Sequence, residues 1–384
     1  MKLLFTKGVK GFVEKNKIYL KTYNKDICTD FAYDENGIVK LENEYNIKLI
    51  GNYNTIKNKY QFRIIYENKF LDVEKQISKI EDKMVSFGIL LTNKILEKET
   101  NSKIDEIYPI PLLTEGIVPE FFYTVQKFKD ELIDKSIVER FTQEEIKRII
   151  YQSDLISIIR SIENYLWSAS ESFIKLSDRI NEVLFQHLDN SNEELKDMEN
   201  TFEYKYIGGY VTEITSLYSG IIIQLCSVLD LTAKLLYEIS MFPKNFDKYI
   251  KLKSGNIYFN DINKCREKYK SYKGFENSFF SGKRNYTDLI MVRNAIVHNA
   301  FFINDESLFF GYKTHVVNYK PINYIISYVW DVDKDGKPER WLNRFRFYGQ
   351  ERETDTYLLN YFIKFYSNMD ATIDMLFEYI AHNI

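Results

Sequence analysis

The sequence predicts an α+β protein that is mainly α. Three observations carry that prediction. Apolar residues recur every three or four positions over most of the chain after residue 71. The first 70 residues instead hold short aromatic and β-branched runs. A second strand-like stretch, residues 308–350, interrupts the helical part near its end.

In the N-terminal part, Lys17-Ile18-Tyr19-Leu20 and Tyr60 to Tyr66 read as strands. Asn36-Gly37 lies between Phe31-Ala32-Tyr33 and Ile38-Val39. It is a hairpin signal, because both positions tolerate positive φ. From Leu71 the period changes. Ile77, Ile80, Met84, Phe87 and Leu91 mark one face of an amphipathic helix that runs to about Glu97. Residues 101–120 then hold Pro109, Pro111, Pro119 and Gly116, which read as a linker, since proline lacks the donor a helix needs. The expected division is therefore a mixed strand and helix region at 1–120, with a sensor or regulatory role, and a helical domain at 121–384. The 384 residues suffice for two domains of ordinary size.

The helical part opens with Thr142 and Glu145 in capping-box spacing. Ile149, Leu155, Ile158, Ile162, Leu166, Phe173 and Ile180 continue it as one long helix. A second helix is expected at about Tyr210 to Ser240, a third at about Tyr286 to Ala300, and a last at about Thr356 to Ile380. Within the insertion, Ile325 to Trp330 and Trp341 to Tyr348 read as a hairpin joined by Asp331-Val332-Asp333-Lys334-Asp335-Gly336. That string imitates the start of a calcium-binding loop. The twelfth position is Leu342, where a bidentate Glu is needed, so a plain turn is expected and no metal.

Composition narrows the function classes. A net charge of −3 excludes nucleic-acid binding by bulk positive charge, though not through a local basic patch. Cys28, Cys226 and Cys265 show neither metal-ligand spacing nor a disulfide framework, which suits a reducing cytoplasm. The apolar stretch Thr215 to Ala233 contains Ser216, Ser219, Gln224, Ser227 and Asp230. It reads as a buried helix rather than a membrane span.

The segment with chemical content is Asp288 to Ala300. At 100° per residue, Leu289, Ile290, Val292, Ile296, Val297 and Ala300 lie within about 100° of Arg293. Arg293 thus falls in the middle of the face expected to be buried, where an unpaired cation costs several kcal/mol, so an anionic partner is expected. Asn294 and His298 stand one turn apart on the flank. Imidazole transfers protons near neutrality, and guanidinium offers a planar fork to a phosphate. RNA supplies its own nucleophile in the 2′-OH, so the set suits phosphoryl transfer without a metal or other cofactor.

Arg293-Asn294-x-x-x-His298 at a helix end resembles the signature of the HEPN superfamily. The resemblance covers roughly residues 140–384. It implies a helical bundle with the strand insertion as a departure, and a metal-independent endoribonuclease. Arg293 and His298 would be catalytic and Asn294 orienting, and cleavage would leave a 2′,3′-cyclic phosphate. It further implies a homodimer with a composite cleft, and a role in bacterial antiviral defence, as in abortive infection, or as a toxin with an antitoxin or activating partner. Family members also include non-catalytic modules that bind RNA, a nucleotide or a protein.

Two features are expected to support such a site. Asp230 is the only charged residue between Thr215 and Ala233, and would pair with Arg293 or His298. Residues 261–298 carry eight basic against four acidic residues. Lys273, Lys283 and Arg284, with Tyr272 and Tyr286, are the candidates for holding an RNA backbone and stacking its bases.

Overall fold

The amphipathic stripe after Leu71 forms helix α1 (Asn68–Ile95), the first of the long helices of the computed structural model. The structure describes residues 75–96, 141–177, 179–180, 209–262, 266–281, 286, 289–294, 296–298, 354 and 357–384 with their side chains. Elsewhere it describes the backbone of the remaining helix and strand segments. The described part is mainly α.

Strand backbone occurs between residues 2 and 66 and between 203 and 327. Order β1(Lys2–Thr6), β2(Val9–Glu14), β3(Lys17–Lys21), β4(Asp26–Asp30) is one antiparallel run. A second joins β5(Ile38–Glu42), β6(Lys48–Asn54) and β7(Lys59–Tyr66). In a third, β9(Leu308–Val317) lies between β8(Glu203–Tyr206) and β10(Lys320–Ser327), with Lys320 opposite Val317. The Asn36-Gly37 turn, the proline-rich segment 101–120, and the loop 331–336 with its following strand all lie outside the described residues.

The helical scaffold continues with α2 (Gln143–Asn190), α3 (Gly209–Ser240), α4 (Thr287–Asn299) and α5 (Thr354–Asn383). The capping box at the head of α2 is made. The Thr142 amide donates to Glu145 Oε2 at 2.7 Å, and the Glu145 amide to Thr142 Oγ1 at 3.2 Å. α3 is long and apolar enough to cross a membrane by length and composition. Half of that apolar stretch is buried inside the structure, and Leu225, Val228, Leu229, Thr232, Ala233 and Leu236 are among the buried residues of the helix.

The chain divides into two units, and α1, α2, α3 and α5 supply residues to both. The first unit comprises Met1–Lys75, Ala169–Ile223 and Tyr286–Lys364. Its described core brings Phe173 onto Phe362, with ring centroids 5.1 Å apart, and buries Leu176, Val211, Ile214, Tyr218 and Leu358. On its surface Arg179 makes a two-pronged pair with Glu213, with nitrogen–oxygen distances of 2.8 and 2.9 Å, and lies over the Tyr210 ring.

The second unit comprises Gln76–Ser168, Gln224–Asn285 and Phe365–Ile384. Ile77, Ile80, Met84, Phe87 and Leu91 are all buried there, as their spacing predicts, and Phe87 meets Phe377 edge-on. After α3 the chain leaves regular structure and runs as a strap over 241–262. Its continuation, 266–281, packs on α5 because Gly274 holds φ at +87°. A Cβ there would sit 2.3 Å from the Ala371 carbonyl oxygen. The neighbouring Lys273 amide donates to Glu378, and the Phe279 amide to Thr372 Oγ1.

Candidate functional site

The Arg-Asn-x-x-x-His motif stands on α4, a helix as its spacing predicts. The N-terminal end of α4 is anchored. Tyr286 is 4% exposed and meets Tyr361 edge-on at 6.2 Å, and Leu289 is buried. Cover then thins along the helix. Ile290, Met291, Val292 and Ile296 are half-buried, and Val297 is 53% exposed. Arg293 is half-buried rather than at the centre of a closed apolar face. The reason is visible in its neighbour one turn on: Val297, 40° away around the helix, is open to solvent. Asn294 and His298 are both exposed, four residues apart on one side of the helix.

The arrangement gives a guanidinium held partly out of water and an imidazole and a carboxamide free to meet a solute. His298 lies in the last turn, where α4 presents carbonyl oxygens without helical partners. Such a set can grip a phosphate and move a proton.

Asp230 is half-buried, and its Oδ1 accepts the Phe259 amide at 2.9 Å. The carboxylate thereby ties α3 to the short 3-10 turn Phe259–Asp261, whose Phe259 ring lies tilted against Phe280. Nothing in the sequence around Asp230 announces an amide 29 residues later as its partner.

The aromatic residues before the motif are mostly core. Tyr269, Phe275, Phe279, Phe280 and Tyr286 are buried, so the Tyr286 ring is closed to a stacking base. Tyr269 donates its hydroxyl to the Leu236 carbonyl at 2.8 Å. Tyr272 is half-buried, edge-on to Tyr379, and its hydroxyl accepts from Asn383 at 2.6 Å. Lys273 is exposed. Several of the cations have structural work: Lys268 reaches the Ser240 carbonyl, Arg266 the Ser281 carbonyl, and Lys270 pairs with Glu267. Lys283 and Arg284 lie outside the described residues.

Sequence reasoning missed two buried acids, Asp154 and Glu238. Asp154 breaks the apolar stripe Tyr151, Leu155, Ile158, and Glu238 stands among Leu235, Leu236 and Ile239. An acid inside an apolar stripe is the signal that finds such residues. Burial pushes the Asp154 carboxyl up to about 7. The Tyr249 hydroxyl works against that rise, and the Glu238 charge adds to it. Burial raises Glu238 too, against the Ser254 and Lys253 donors.

Among the described residues, no cluster of three or more His, Cys, Asp or Glu is placed to hold a metal ion. No family model matches the chain, and neither a curated protein nor a solved structure matches it.

Proposed function

We propose that the chain is a metal-independent endoribonuclease of the HEPN type, with Arg293, Asn294 and His298 as its site. The carrying observation is the placement of these three residues on α4. Asn294 and His298 share an open side one turn apart, and Arg293 stands half-buried beside them. The fold proposed with it is a HEPN-like helical bundle carrying a β-hairpin insertion and preceded by a strand-rich region.

In the proposed reaction the 2′-oxygen attacks the adjacent phosphorus. His298 takes the 2′ proton as general base. Arg293 holds the non-bridging oxygens and the charge that grows on them, and Asn294 orients the ribose or the imidazole. The 2′-O–P bond forms as the P–O5′ bond breaks. The 5′-oxygen leaves with the proton that His298 took from the 2′-hydroxyl, giving a 2′,3′-cyclic phosphate and a 5′-OH end. A two-fold homodimer would bring a second copy of the motif to the cleft, and Val297, exposed beside Arg293, is the apolar surface such a partner would cover. The setting proposed is the bacterial cytoplasm, in antiviral defence or as a toxin, with an antitoxin or an activating partner controlling it.

The test is incubation of the purified full-length chain with RNA in EDTA, beside Arg293→Ala and His298→Ala. Cleavage by the unaltered chain alone, with cyclic-phosphate ends, is the expected result. RNA bound yet left intact by every form would replace this reading with that of a non-catalytic RNA-binding module. Sedimentation of Val297→Asp checks the dimer, which that substitution should dissociate.

A further inference from the structure

Asp154 on α2 and Glu238 on α3 lie within one unit, and they are 2% and 3% exposed. Both hold the strap. The Tyr249 hydroxyl donates to Asp154 Oδ2 at 2.5 Å. The Ser254 amide donates to Glu238 Oε1 at 2.6 Å. Around these anchors the strap buries Phe246, Tyr249 and Leu252. Phe242, Phe246 and Tyr249 each meet the Tyr151 ring edge-on, at 5.9, 5.4 and 5.1 Å.

The titratable groups facing the pair come from three elements. α2 supplies Tyr151 beside Asp154, α3 supplies Glu238, and the strap supplies Tyr249 and Lys253. Among the described residues, Lys253 is the cation that acts on the pair, and it acts on Glu238. Asp154 faces a neutral phenol and a second acid. Two buried carboxylates in that setting repel each other with little water to screen them, and the remedy is to keep a proton.

We propose that Asp154 and Glu238 form a buried proton-binding site that latches the 241–262 strap to α2 and α3, and that loss of its proton to solvent unlatches the strap. The physical basis is the difference between latched and open forms. Latched, Asp154 titrates at about 7, chiefly because it is buried. Opened into water, an aspartate titrates near ~4. Between these values the latched form holds a proton that the open form lacks, so rising pH favours opening, by up to about tenfold per pH unit. Above about 7 both forms are ionised and the dependence levels off. The fully latched condition is therefore the acidic side of that window. This inference is independent of the ribonuclease reading, since no RNA enters it.

Hydrogen exchange of the strap amides in the full-length chain tests it, with each pH corrected for the intrinsic exchange rate. The open population should rise through the window and level off above about pH 7. Asp154→Asn keeps the shape and an acceptor for Tyr249 but cannot ionise, so its opening should lose the Asp154 share of the slope and keep only what Glu238 contributes. Tyr249→Phe removes the donor that favours the carboxylate, so its levelling point should move to higher pH. Opening in the unaltered chain that ignores pH would overturn the proposal, as would a wild-type slope surviving in Asp154→Asn. Should Asp154→Asn fail to fold, Tyr249→Phe decides: an upward move supports the latch and an unmoved profile overturns it.

Discussion

Residues 241–281 and the C-terminal end of α4 dispose of polar side chains in opposite ways. In the first, several polar groups find partners on α3. Tyr269 meets the Leu236 carbonyl, Lys268 the Ser240 carbonyl, and the Ser254 amide meets Glu238. In the second, Asn294 and His298 face outward beside an exposed valine. A segment tied by such bonds to a neighbouring helix is built to hold shape. A helix end that leaves a carboxamide and an imidazole exposed is open to a solute. The two regions should therefore separate under mutation, the first changing stability and the second changing function.

The largest effect expected is on cleavage. Arg293→Ala and His298→Ala should each lower RNA cleavage by at least about 100-fold, the lower range for removing a general base or a charge-stabilising donor. His298 is exposed, so its substitution should leave unfolding free energy within roughly 0.5 kcal/mol. Thermal melts beside cyclic-phosphate assays read both quantities. A His298→Ala chain that loses stability along with activity would break the contrast, because the residue would then belong to the scaffold.

Gly274→Ala probes the opposite region. An alanine there would meet the Ala371 carbonyl and carry a positive φ that side chains avoid. The expected cost is roughly 2–4 kcal/mol of stability, measured by urea unfolding. Cleavage per folded molecule should stay unchanged. Unaltered stability would mean that 266–281 does not need its close approach to α5.

These tests bear on what the sequence could reveal. Periodicity found the buried stripe of α1, the capping box of α2 and the helical state of the motif, because each depends on residues within one or two turns of one another. It could not reveal how far the α4 face is covered. That depends on distant segments, and Arg293 proves half-buried where its helical wheel predicts a closed face. Composition also placed Tyr286 among possible RNA contacts, whereas the Tyr361 ring and the helical core claim it. The bonds of Asp230 to Phe259 and of Asp154 to Tyr249 span 29 and 95 residues. Pairings of that range leave no local pattern.

Asp230→Ala sharpens the contrast at intermediate size. Losing the acceptor for the Phe259 amide should cost about 1 kcal/mol, in line with other side-chain caps of backbone donors. Chemical denaturation reads that loss, and cleavage should persist. Cleavage lost at full stability would instead support the pairing of Asp230 with Arg293 or His298 that the sequence suggests, and would place this residue in the site.

The smallest effect belongs to the ion ladder that holds α1 to α5. Lys83 lies 2.5 Å from Asp370 and 2.6 Å from Asp374, and Lys79 lies 2.8 Å from Asp370. Burial alone would lower the Lys83 pKa, but the two aspartates raise it. Burial alone would raise Asp370, but the two lysines lower it. The depressed Asp370 contributes stability that is present above the ordinary aspartate range and is lost as pH falls through its folded value. Partial exposure and salt screening keep that contribution small. Lys83→Met should therefore cost less than about 1 kcal/mol at low salt and neutral pH, and nearly nothing at about 1 M salt or once pH has fallen below the depressed folded value of Asp370. A cost that survived high salt would show that Lys83 acts through the packing of its aliphatic stem against α5 rather than through its charge.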